Sequence, residues 1–193
     1  MRVVYLARHG QTEWNAVGKL QGHTDVPLDE TGRAQAAGLG EALRPARIAA
    51  VVVSDLARAR VTGDIVSSSL GVATPPIVDP DLRERRFGVF EGLTRDECAR
   101  DHGDAWRAWC DHAIAPPSAE QSEDVVARFG RAMERAASLA GPHGNALVVS
   151  HGGAMRLWLR SVLRRSIDPI GNTAVFEVLF RDDVDAAPWP HGW

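Results

Sequence analysis

Three apolar runs in this sequence end on groups that can do chemistry. Val3 to Ala7 runs into Arg8, His9 and Gly10, and Ala146 to Ser150 runs into His151, Gly152 and Gly153. A third run, Ala49 to Ser54, is followed by Asp55 and then by Arg58 and Arg60. An imidazole is a nucleophile when neutral, and neighbouring guanidinium charges lower its pKa and keep it so. Arginine forks grip phosphate oxygens two at a time, and glycines let the backbone come close. A helix starting around Gly153 would add free N–H groups and a favourable dipole. Two histidines, two arginines (Arg8 and Arg58) and these glycines therefore describe a pocket for a phosphate. One histidine would attack phosphorus there. The arginines and a protonated second histidine would stabilise the charge spreading over the transferring oxygens without a metal ion. Singly, each residue has a plainer reading, as a hydrogen-bonded strand-end histidine, a solvated arginine or a turn glycine. Only their convergence carries the chemistry.

For these groups to meet, the three runs must be strands lying side by side with their carboxyl ends on one edge of a sheet, where open α/β sheets bind ligands. Short β-branched runs alternate with longer helical patterns along the chain, which predicts a three-layer αβα sandwich around a mostly parallel central sheet. Asp29 is placed to cap a helix running toward Leu43, ahead of Pro45. A second helix is expected from Leu56 to Ser69, ending near Gly71, a long one from Glu123 to Ala140, and a last one after His151. Ile77 and Val78 allow a short strand at most, and Ala174 to Phe180 alternates as an edge or near-edge strand. Residues 81–118 hold many charges, Trp106 and Trp109, and close on Pro116-Pro117. They are expected to be an excursion of short helices over one end of the sheet, with about 88–118 forming a small helical cap. The tail from Ala187 to Trp193 has no regular pattern.

At 193 residues and 45% hydrophobic content, the chain is long enough for one sizeable core, and one domain spanning 1–193 is expected. A formal net charge of -3 argues against a nucleic-acid partner, which calls for excess positive charge. One basic residue, Arg2, precedes an apolar run too short for a signal sequence, and no stretch approaches the length of a membrane span. A cytoplasmic protein with no membrane partner is the expectation. Cys98 and Cys110 have neither Cys-x-x-Cys spacing nor nearby histidine pairs, so ordinary thiols are expected rather than a disulfide or zinc site. The histidines lack metal-ligand spacing, which disfavours a metal-dependent hydrolase. Lys19 is the only lysine, so most arginines here must be general surface charge.

The run RHGQTEWN resembles the Arg-His-Gly-x-Thr-x-x-Asn signature of the histidine phosphatase superfamily, also called phosphoglycerate mutase-like. The likeness continues in order through LQGHTDVPLDETGRAQA, VVVSDLARARVTGDIV, LRERRFGVFEGLT and LVVSHGGAMR, and so covers nearly the whole chain. It implies that His9 is the nucleophile of a phosphohistidine intermediate and that Arg8, Arg58 and His151 hold the phosphoryl group. Asn15 and the backbone around Gly152 would complete the pocket, with Gln21 and Gly22 near phosphate or substrate. Glu84 would be the acid that protonates the leaving oxygen and then activates water. A carboxyl group beside a bound dianion keeps its proton more readily, which suits that task.

No cofactor or metal is implied. The expected partner is a small phosphorylated substrate, with a homodimer left open. The short cap and LQGHTDVPL resemble the phosphatase branch, so hydrolysis of small phosphomonoesters (sugar phosphate, phosphoglycerate-type or nucleoside phosphate) is the expectation. Mutase-type transfer and a non-catalytic phospho-ligand binder are the alternatives. SDLARA and GLT are similar to broad-specificity, α-ribazole and glucosyl-3-phosphoglycerate phosphatases alike. Arg85, Arg86 and Arg107, with Trp106 and Trp109, are available to meet the rest of the substrate, although cap packing is the first expectation for the tryptophans. One departure stands out: AEQS replaces the family's Gly-Glu-Ser, so that Glu120 matches the Glu and Gln121 takes the place of the Ser, which bears on the capping of the long helix or on the substrate side of the pocket and leaves the core constellation intact.

Overall fold

The computed structural model describes residues 2–111, 115–141, 144–181 and 184–189. Its frame is a six-stranded sheet built from β1 (Arg2–Arg8), β2 (Ile48–Val53), β3 (Ile77–Val78), β4 (Asn145–Ser150), β5 (Val175–Phe180) and β6 (Val184–Pro188), in the order β3-β2-β4-β1-β5-β6. β3, β2, β4 and β1 run parallel, and β5 and β6 run antiparallel beyond β1. The core follows from the period of two along each strand. Val4, Leu6, Val52, Ala146 and Val148 face one side and pack with Phe129, Met133, Met155 and Trp158. Tyr5, Ala7, Val51, Val53, Leu147 and Val149 face the other and pack with Leu39, Leu43, Ala59 and Val66. The short helix α1 (Glu13–Ala16) follows β1, helices α6 (Ser122–Leu139) and α7 (Gly152–Leu163) cover the first face, and α2 (Glu30–Ala42) and α3 (Ala57–Leu70) cover the second. The three layers are those expected from the sequence.

Local signals set the helix ends. Asp29 accepts a hydrogen bond from the Gly32 amide, which satisfies one of the orphan donors at the start of α2. Gly71 closes α3 in a left-handed conformation at φ 66°, where a side chain would be strained. Between β3 and α6 the chain forms short turns, α4 (Arg95–Asp101) and α5 (Gly103–Cys110), around buried Phe90, whose ring meets His102, Trp106 and Trp109 edge-on. The tryptophans therefore pack within this excursion, as first expected.

The tail required a correction. Ala187 and Pro188, assigned no regular pattern, close strand β6, which pairs with β5. This strand is too short and alanine-rich for alternation to reveal it. Proline fits because an edge strand can spare the missing N–H. The strand expected over Ala174–Phe180, observed as Val175–Phe180, is near-edge because β6 pairs along its outer side. Trp189 then donates its backbone N–H to Val175 and sets its ring against Tyr5, while residues 190–193 of the tail lie outside those described. No helix among the described residues is long and apolar enough to cross a membrane.

Candidate active site

Parallel pairing puts the ends of β1, β4 and β2 on one edge. The ladder also continues past the strands: His9 donates its backbone N–H to Ser150, and Ser54 donates to Val149. After β1 the chain leaves toward α2 on one face, and after β4 it enters α7 on the other, so a crevice opens where the two connections part. That crevice is a cleft of about 200 Å³ whose walls include Arg8, His9, Asn15, Gln21, Gly22, Arg58, Glu84 and Gly152. All the expected site residues converge on it except His151, which is buried behind, with its ring centroid 5.1 Å from that of His9.

The His9 ring is held in one orientation. Nδ1 lies 2.6 Å from the Gly10 carbonyl, which can only accept, so Nδ1 carries the proton and Nε2 has the free lone pair. Burial above all, then the Arg8 and Arg58 charges, hold the imidazole well below the usual histidine range, against the pull of the Gly10 carbonyl. Charge alone was the expected cause, but desolvation contributes more. Gly10 has to be glycine, because a Cβ would fall 2.3 Å from the Gly32 carbonyl oxygen.

Arg58 is built into the wall. Its terminal nitrogens donate to the carbonyls of Thr24 and Gly22, each at 2.8 Å, and Nε donates to His151 Nδ1 at 3.2 Å. Burial lowers its pKa to about 10, well above neutrality. A guanidinium only donates, so His151 Nδ1 accepts, and the neutral ring carries its proton on Nε2, which donates to Ser54 Oγ at 2.9 Å. Burial, and then Arg58, keep His151 well below the usual histidine range. Packed against a permanent cation and out of water, this ring is neutral here, whereas the sequence reading placed a protonated second histidine beside the transferring phosphoryl group. Arg8 donates to the Ile170 carbonyl at 2.6 Å, while its buried Nε has no protein partner. Gly152 leaves room for it, since a Cβ there would lie 3.3 Å from Arg8 Cδ and Nε.

Glu84 holds the start of α7. Its carboxylate accepts the backbone N–H groups of Arg85 at 2.7 Å, Gly153 at 2.9 Å and Ala154 at 2.7 Å. The N–H groups expected to be free for phosphate are thus taken by Glu84, the nearest anion in reach of the helix dipole. Asn15 accepts at Oδ1 from the Thr12 backbone and from Asn172, so its amide N–H₂ group remains for the cleft. Gln21 turns a buried Oε1 that no protein group satisfies. Asp55 does not join the site, because it is paired with Arg83, and Arg60 is exposed.

Several contributors were not legible beforehand. Gly153 was singled out only as a glycine at the helix start, and its further part is to make room for Glu84, since a Cβ would fall 2.6 Å from Oε1. Glu91 accepts from the His23, Thr24 and Phe87 backbones and so ties the Gly22 loop to the excursion. Arg128 donates to the carbonyls of Asp81, Arg83 and Glu84 while paired with Glu120, which fixes the segment that carries Glu84. Lys19, Arg95 and Arg156 also line the cleft. Lys19, as the only lysine, was the one signal available; Arg95 and Arg156 were hidden among many arginines.

Among the described residues, no group of three His, Cys, Asp or Glu side chains could hold a metal ion. The model of the histidine phosphatase superfamily (branch 1) matches residues 4–184. A relative from Erwinia tasmaniensis, named "Probable phosphoglycerate mutase GpmB", is 34% identical over 84% of this chain and 75% of its own length. A metal-independent phosphoserine phosphatase from Arabidopsis thaliana is 33% identical over 93% of this chain and 76% of its own. The solved mycobacterial glucosyl-3-phosphoglycerate phosphatase in complex with VO3 superposes with a TM-score of 0.83 at 27% identity, covering 97% of both chains.

Proposed function

Because the chain belongs to the histidine phosphatase superfamily, we propose that it is a metal-independent phosphatase that hydrolyses small phosphomonoesters through a phosphohistidine on His9. The observation that carries this reading is the His9 ring, with Nδ1–H fixed by the Gly10 carbonyl and the lone pair left on Nε2 in a cleft walled by arginines. Nε2 attacks phosphorus, the ester P–O bond breaks, and Glu84 gives its proton to the leaving oxygen. Arg8 and Arg58 neutralise the charge spreading over the three phosphoryl oxygens from fixed positions, so little reorganisation is needed in the transition state. His151 acts by holding Arg58 through Nε. A water then attacks the phosphohistidine, Glu84 accepts the water's proton, and neutral His9 and inorganic phosphate are regenerated.

Transfer of the phosphoryl group back to a phosphoglycerate is the second reading, supported by the mutase name of a relative. The test is phosphate release from a panel of phosphomonoesters in chelator, by the wild type and by His9→Ala. Release lost in the variant by at least about 10³-fold is expected for removal of a nucleophile. Interconversion of phosphoglycerates without net phosphate release would favour the mutase, and no turnover of any kind would sink both.

A further inference from the structure

A second cavity, of about 370 Å³, opens off the cleft and shares Arg95, Arg156 and Gly153 with it. Among the described residues its wall carries four arginines, Arg85, Arg95, Arg156 and Arg160, and no carboxylate. Several surface arginines elsewhere in this chain find acids, as Arg135 binds Asp79 and Asp81, and Arg107 binds Asp104. Arg85 is already engaged, donating to the Glu120 carbonyl and lying 3.6 Å over the Trp109 ring. Arg156 uses Nε for the Ile167 carbonyl. Among the described residues, Arg95, Arg156 and Arg160 have no ion-pair partner. Arg156 and Arg160 stand one turn apart on the same face of α7, where like charges repel. Trp106 and Leu157 also line the cavity, and apolar walls strengthen any charge interaction within it.

We infer that the substrate is an extended phosphomonoester with a second oxyanion, carboxylate or phosphate, held by Arg95, Arg156 and Arg160 while the scissile phosphoryl group sits at His9. This rests on the hydrolase reading for the placement of the first anion. Of the arginines put forward from the sequence, Arg85 lines this cavity, whereas Arg86 lies outside it and Arg107 is exposed and paired.

Non-hydrolysable phosphonates separate this site from turnover. Alkylphosphonates of increasing length, each with and without a terminal carboxylate, would be titrated calorimetrically into the wild type, Arg160→Gln, Arg95→Gln and Arg165→Gln. The last variant removes an exposed charge outside the cavity. At one chain length the carboxylated member should bind about tenfold tighter or better, the worth of a charge-assisted hydrogen bond. That advantage should shrink about tenfold in Arg160→Gln and Arg95→Gln and survive in Arg165→Gln. Carboxylated members that never outbind their partners, or an equal loss in all three variants, would overturn the subsite. Hydrolysis of the matching phosphate esters is followed separately: discrimination among phosphonates without ester cleavage would sink the hydrolase reading and leave the anion site standing.

Discussion

In the proposed mechanism His9 and Glu84 need opposite things from their surroundings. The histidine must be kept neutral, which burial and two guanidinium groups achieve, and the carboxyl group must be kept in place, which three backbone N–H groups achieve. The second requirement makes Gly153 a positioning residue. In Gly153→Ala the new methyl group would lie 2.6 Å from Glu84 Oε1, and the end of a flexible side chain can yield where backbone cannot. The variant should therefore keep its thermal stability while kcat/KM for alkyl phosphates, which covers only the steps up to loss of the leaving group, falls about 10²- to 10⁴-fold, the usual contribution of a general acid. An aryl ester with a good leaving group needs no proton and should lose far less. Equal losses on both kinds of ester would place the damage elsewhere.

At the scale of the element, the replacement in AEQS has a definite physical outcome. Gln121 is the N-cap of α6 and makes no side-chain capping bond, although its backbone has the extended geometry that a capping serine uses (φ -69°, ψ 150°). Glu120 serves a different end, since it pairs with Arg128 and helps to fix the segment bearing Glu84. The departure from the family pattern thus costs the helix a cap and leaves the site intact. Gln121→Ser should raise stability by about 1 kcal/mol, or about 2–4 °C in Tm for a chain of this size, with kcat unchanged. A Tm that stays put or falls would mean that the Gln121 side chain has a role outside the helix cap.

Across the whole molecule, the two buried histidines set an acid limit. The native pKa values of His9 and His151 both lie well below 6.5, mainly through burial, whereas an unfolded chain takes up these protons near pH 6.5. Below that pH the unfolded state binds more protons, so stability falls as pH falls, until the lowered native values are reached. The slope is at most about 1.4 kcal/mol per pH unit for each ring. Urea midpoints should decline between pH 7 and pH 5, and His151→Asn should flatten the decline; parallel pH curves for variant and wild type would rule it out. Strand period, caps and motif spacing are local properties of the chain, so the three strand-end groups, the helix limits marked by Asp29 and Gly71, and the candidacy of His9, Arg58 and Glu84 were legible before any fold. It took the folded arrangement to show that His151 sits neutral behind Arg58, that Glu84 takes the N–H groups at the start of α7, and that Arg95, Arg156 and Arg160 share a cavity. Hydrogen-bond partners and desolvation arise between segments distant in sequence, and in a chain so rich in arginine nothing local tells a buried or unpaired guanidinium from a solvated one.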